Sequence, residues 1–163
     1  MKTSLSILAL GIAVAFGAPA MANGFGGGDT GTINQTGVNN DAGITQAYNA
    51  WGTESLINQH GTKNVAFSNQ DHNISASSTI NQSDYNNYAT VNQQNTAGAT
   101  ATVNQDGWLN VAKVDQQNGF GLTATANQTG YNNYSNISQS GFNKTATTNQ
   151  TGIANVANIS QHF

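Results

Sequence analysis

From Thr30 to Gln161, small, apolar and amide side chains alternate with polar ones at a period of two, and the pattern restarts every 11 to 13 residues. Each stretch ends on a glutamine: Gln35, Gln46, Gln59, Gln70, Gln82, Gln93, Gln105, Gln116, Gln128, Gln139, Gln150 and Gln161. Two positions earlier stand Ile33, Ile44, Ile57, Ser68, Ile80, Val91, Val103, Val114, Ala126, Ile137, Thr148 and Ile159, nine of them Ile or Val. Four positions earlier the side chain is always small, from Gly31 and Ala42 to Ala146 and Ala157. The residues between are mostly polar, as Asn34, Asn58, Asn81, Asn92, Asn104 and Asn127 illustrate. A period of two with one small-Ile-Gln face and one Thr/Asn face predicts a half-buried strand, not a helix. Twelve strands are expected.

The strands group in pairs. Six positions before alternate glutamines comes Asn40, Asn64, Asn87, Asn110, Asn133 or Asn155. Two positions after the preceding glutamine comes Gly37, Gly61, Gly107, Gly130 or Gly152, with Asp84 in the remaining copy. The unit Q-x-G-x-x-N-x-A-x-x-x-Q therefore recurs six times, with Ser135 in place of the alanine once. Glycine admits positive φ, and asparagine can bond the turn backbone, so each unit reads as strand, tight arc, strand. The third repeat, lacking its glycine, should have the least regular arc. Lys144 takes an asparagine-like position before Gln150.

A unit this short cannot enclose a core, so the copies must stack. Like strands ~4.8 Å apart would set Gln over Gln and Asn over Asn in axial hydrogen-bonded ladders. Identical neighbours are one way to pair every buried amide, which would otherwise be costly. The expected fold is all-β: a β-solenoid of six strand-arc-strand repeats forming two parallel, in-register sheets, with cross-β structure on polymerisation. The repeats are placed at about 29–52, 53–75, 76–98, 99–121, 122–143 and 144–163.

Met1–Ala22 reads as a secretory signal peptide: Lys2 is the positive start, Leu5–Phe16 the apolar run, and Ala20-Met21-Ala22 a small-x-small cleavage site. Residues 23–28 form a short Gly-rich leader. Without the signal the chain has three lysines against seven acids, a net charge of −4, and no proline, arginine or cysteine. Weak charge of that sign lowers repulsion between copies and argues against nucleic acid. An exported chain without cysteine has no disulfide staple, and its stability must come from stacking. No further segment is apolar enough to span a membrane.

No enzyme chemistry is indicated. The acids Asp29, Asp41, Glu54, Asp71, Asp84, Asp106 and Asp115 share no close spacing, and His60, His72 and His162 read as single, solvated turn or tail residues. Neither a metal nor a cofactor is expected. The terminal repeats have too little flanking chain for a helical cap, so their edges should be open to another copy. Tyr85 and Tyr88 recur as Tyr131 and Tyr134, with Trp108 and Val111 in the same slots between them. Strand parity turns these outward beside the arc, a stripe suited to lateral association or adhesion. Thr79, Thr90, Thr102, Thr125 and Thr147 line the outward face, interrupted by Gly43, Leu56, Phe67, Lys113 and Asn136. Such a ladder is also compatible with a soluble ice-binding protein or a carbohydrate-binding adhesin.

The sixfold motif, the signal peptide, the Gly-rich leader and the nearly charge-free remainder resemble the curlin family, over Asp29–Phe163. These are the subunits of curli, the bacterial extracellular amyloid fibres of biofilm matrix. The resemblance implies a secreted homopolymer attached to the cell surface. As partners it implies a minor nucleator subunit and a dedicated outer-membrane secretion channel with its accessory proteins. Low charge and the lack of arginine make the chain most similar to the major subunit.

Overall fold

A computed structural model describes residues 28–163. The expected signal peptide, and all but the last residue of the expected leader, lie outside them. The described chain contains twelve strands and no helix: β1 (Thr30–Val38), β2 (Asp41–Ala47), β3 (Glu54–Thr62), β4 (Val65–Asp71), β5 (Ser77–Gln82), β6 (Tyr88–Ala97), β7 (Thr100–Trp108), β8 (Val111–Phe120), β9 (Thr123–Tyr131), β10 (Tyr134–Phe142), β11 (Thr145–Ile153) and β12 (Val156–Gln161). Odd-numbered strands form one six-stranded parallel sheet and even-numbered strands the other, each in chain order. The molecule is a six-turn β-solenoid, and each predicted repeat holds one strand of each sheet.

Register is as strict as the spacing implies. Gln35 lies beside Gln59, Gln59 beside Gln82 and Gln105 beside Gln128, and the second sheet repeats the arrangement from Gln46 to Gln161. A one-residue slip would turn the whole inward set to solvent, so the buried face enforces this alignment.

The core lies between the sheets. Ile57, Ile80, Val91, Val103, Val114 and Ile137 are fully buried, interleaved with Ala66, Ala89, Ala101, Ala112 and Ala124. Burying each Ile or Val contributes ~1.5–3 kcal/mol. The small position of one sheet faces the branched position of the other: a Cβ built at Gly31 would stand 3.3 Å from the Ile44 side chain. That opposition explains the departures from the repeat. Ser68 replaces Ile/Val in β4, and the neighbouring small positions are Ser55 and Ser78. The Ser68 hydroxyl lies 2.7 Å from that of Ser55 and 2.9 Å from that of Ser78, all three buried. Likewise Thr148, in a branched position, meets Ser135, in a small one, at 2.6 Å. A polar intruder on one sheet is answered by a polar partner on the other, as burial of a hydroxyl requires.

The third repeat is the irregular one. β5 stops at Gln82, six residues long, where β3, β7, β9 and β11 each run nine residues through the arc glycine. Asp84 takes φ 71°, while the five arc glycines lie between 107° and 118°. Lys144, read as occupying an asparagine-like slot, has no asparagine neighbour in register. Its column runs Asp29, Thr53, Ala76, Ala99, Leu122, Lys144, as the alignment of the adjoining strands fixes it. That arc is built differently from the one the motif describes.

Candidate functional site

Two glutamine ladders run the length of the stack. In the odd-numbered sheet Gln35 Nε2 donates to Gln59 Oε1, and the series continues through Gln82, Gln105 and Gln128 to Gln150 at 2.6–2.9 Å. In the even-numbered sheet Gln46, Gln70, Gln93, Gln116, Gln139 and Gln161 do the same at 2.8–3.0 Å. In every ladder glutamine but Gln35 the second hydrogen of the amide goes to a main-chain carbonyl, as Gln82 Nε2 to Val65 O (3.0 Å) and Gln93 Nε2 to Ser77 O (3.0 Å). A carbonyl can only accept, so this bond fixes which amide atom is nitrogen. Every ladder amide therefore donates toward the next repeat and accepts from the one before. Among the described residues no buried side-chain nitrogen or oxygen lacks a partner.

The six motif asparagines clamp the arc inside each repeat. Asn110 Nδ2 donates to Asp106 O (3.2 Å) within its own arc and to Gly130 O (3.1 Å) in the next, while Asn110 Oδ1 accepts from Asn133 N (3.1 Å). Asn40, Asn64, Asn87 and Asn133 repeat these bonds, and Asn155 keeps the one within its own arc, to Thr151 O (3.0 Å). Gly37, Gly61, Gly107, Gly130 and Gly152 hold φ values closed to other residues, and at four of them stacking adds a second constraint. A Cβ at Gly37, Gly61, Gly107 or Gly130 would overlap the main chain of the residue stacked on it. The residue just before each clamp also has positive φ: Asn39, Lys63, Asn86, Leu109, Asn132 and Ala154, between 56° and 59°.

The aromatic stripe lies outside this arc. Tyr85, Trp108 and Tyr131 form one column, and Tyr88, Val111 and Tyr134 the column beside it. Trp108 is 57% exposed, Tyr131 44%, Tyr85 and Tyr88 a little over a third, and Val111 and Tyr134 are half-buried. The Tyr85 and Trp108 rings pack with centroids 6.1 Å apart, and Lys63 Nζ sits 5.5 Å from the Tyr85 centroid.

Several features were not singled out from sequence. The outward asparagines read simply as a solvent face form a third axial ladder, Asn34 to Asn58, Asn81, Asn104, Asn127 and Asn149, each step 2.8 Å. At the arc between repeats, Asn49 and Asn73 clamp the first turns, with Asn73 Oδ1 accepting from both Thr96 N (2.9 Å) and Thr96 Oγ1 (2.8 Å). Exposed Tyr48, Trp51, Ile74, Phe120 and Phe142 gather at that arc. Their sequence signal is weak because the spacing changes there from turn to turn.

The threonine face needs correcting. Thr79, Thr102, Thr125 and Thr147 share one column of the odd-numbered sheet, interrupted only by Leu56, whereas Thr90, Gly43, Phe67, Lys113 and Asn136 belong to the other sheet. One outer face is thus a regular Thr/Asn array and the other is mixed. The histidines lie at the surface, and two of them make contacts there: the His72 ring, with Nδ1 2.8 Å from Asp71 Oδ1, stacks on Tyr48, and His162 contacts the Ser140 and Ser160 hydroxyls. The acids stay dispersed, mostly at strand ends. No protein-family model matches the chain, and no curated protein matches it significantly.

Proposed function

We propose that this chain is a secreted structural subunit that self-assembles, by nucleated and templated stacking, into extracellular curli-like amyloid fibres for biofilm matrix and surface adhesion. One observation carries the reading. Both sheets end on strands whose outer edges pair with nothing among the described residues, β1 and β2 at one end and β11 and β12 at the other. Ladder side chains stand on those edges, so each turn has the same need for a neighbour as every turn inside. A second copy meets it with the bonds already used between turns. On this reading the chain is neither enzyme nor nucleic-acid binder, its partner is itself, and the nucleator and export channel follow from the resemblance to curlins.

The test is to dilute Asn23–Phe163 out of denaturant and follow circular dichroism and an amyloid dye, with and without preformed seeds. A disordered start, a lag, and loss of the lag on seeding are expected; a β-rich species that stays monomeric and dye-negative would contradict it. Replacing Tyr88, Val111 and Tyr134 with Ser should disperse fibre bundles without slowing seeded growth.

A second reading is favoured by the Thr/Asn face alone. Its columns are spaced by the strand repeat, and a depression of about 320 Å³ lies over Asn81, Asn104 and Asn127. A soluble ice-binding protein or carbohydrate-binding adhesin would use that face as a folded monomer, so persistence of the monomer discriminates the two.

A further inference from the structure

Charge is spread thinly over the stack. Among the described residues, no column of stacked positions holds two charges of the same sign. One column holds two of opposite sign, at its two ends: Asp29 in the first turn and Lys144 in the last, separated by Thr53, Ala76, Ala99 and Leu122. Both are half-buried, and the ion pair found among the described residues joins His72 to Asp71 and involves neither. Within one molecule four turns keep them apart.

Resting on the self-assembly reading, we infer that Lys144 pairs with Asp29 of the next copy, and that this pair sets head-to-tail polarity at the junction. Stacking the last turn of one molecule on the first of the next brings the two positions one strand spacing apart, ~4.8 Å. Asp29 is already oriented by Thr53 Oγ1 (2.7 Å) and Asn49 Nδ2 (3.3 Å). In the reverse arrangements, first turn on first or last on last, no Asp29 meets a Lys144.

The amides agree in direction. Gln150 Nε2 donates to Tyr134 O (2.9 Å) and has its other hydrogen toward the open edge, while Gln35 Oε1 faces the opposite open edge. Gln59, Gln82 and Gln105 each donate to a carbonyl of the preceding turn, Asp41 O, Val65 O and Tyr88 O. Gln35 has no preceding turn among the described residues and makes the axial bond alone. Val156 occupies the matching position in the last turn, so the carbonyl Gln35 needs is supplied by the copy before it. First turn against first turn offers no Val156 carbonyl to Gln35.

Seeded elongation of Asn23–Phe163 tests the pair. Lys144→Glu in both seed and monomer should slow growth roughly fivefold, because an opposite pair becomes a like pair at every junction. The double variant Lys144→Glu/Asp29→Lys should return to within about twofold of the original rate, and the difference should shrink at high salt. An unchanged single variant, or a double variant no faster than the single, would overturn the pairing while leaving templated growth intact; a chain that cannot be seeded at all would overturn the fibre reading itself. Should charge reversal prevent folding, cysteines decide it, since the chain has none of its own. Oxidised fibres of Asp29→Cys/Lys144→Cys should give a ladder of disulfide-linked multimers on a non-reducing gel, and each single cysteine variant only monomers. Disulfide dimers from either single variant would contradict head-to-tail order.

Discussion

The two arcs of each turn solve the same problem by different means. Across the arc inside a repeat the step between ladder glutamines is 11 residues in all six copies; across the arc between repeats it is 13, 12, 12, 12 and 11. The constant arc carries the asparagine clamp in every turn, and its amide must reach one carbonyl in its own arc and another in the next. An added residue would break that geometry. The variable arc has a clamp only at Asn49 and Asn73. From there on Ala76, Ala99 and Leu122 fill it with an apolar plug, and Leu122 packs over Gly119. Its extra residue in the first turn falls at Trp51-Gly52, and its lost residue in the last is absorbed by a bulge between Ser140 and Gly141. Directional hydrogen bonds fix a loop's length, whereas non-directional packing tolerates change.

Insertion is the strongest way to break this contrast. A glycine inserted after Trp108, in the constant arc, should cost more than ~3 kcal/mol, because buried clamp groups lose their partners. The same insertion after Ser75, in the variable arc, should cost under ~1 kcal/mol, the loop entropy alone. Guanidinium dissociation midpoints of the assembled fibres would measure both, and equal losses would remove the distinction.

Glycine substitution comes next. Gly107→Ala combines φ 107° with overlap on the Gly130 carbonyl and should destabilise by about 3 kcal/mol. Gly98→Ala, in the variable arc, has φ 61° and open space around a new Cβ, so about 1 kcal/mol is expected. Comparable in size, Asn110→Ala strands Asn133 N and two carbonyls and should cost about 2–3 kcal/mol by the same measurement.

The smallest effect is a gain. Leu109 is held at φ 59° in the position that Asn39, Asn86 and Asn132 fill in other turns. Leu109→Asn should raise stability by about 0.5–1 kcal/mol, since asparagine tolerates the left-handed region better. A loss would mean that Leu109 packing outweighs its backbone strain.

The same contrast decides what could be read from sequence. Strand number, the inward small-Ile-Gln face, the pairing of strands and the motif asparagines and glycines all repeat at fixed offsets, so stacking could be inferred from periodicity. The arc glycines were legible as a demand for positive φ, but the main chain they would strike belongs to the next turn, 22 to 24 residues away. The variable arc was illegible because its residues hold no common offset; Lys144 could be placed beside Leu122 only once register was known. The Thr/Asn face was misjudged for a related reason. Strand parity gives inside from outside but not which sheet a residue belongs to, so the interruptions of one face were charged to both. Ser68 and Thr148 depart from the Ile/Val position, and only the facing of the two sheets sets Ser55, Ser78 and Ser135 against them.

The central claim is that one chain supplies six successive layers of the stack and the next copy continues it. Mass per unit length of unbundled fibres, by scanning transmission electron microscopy, tests this most directly. The account predicts one chain per roughly 29 Å of protofilament, six layers at the strand spacing. One chain per ~4.8 Å, with each molecule flattened into a single layer, would contradict it.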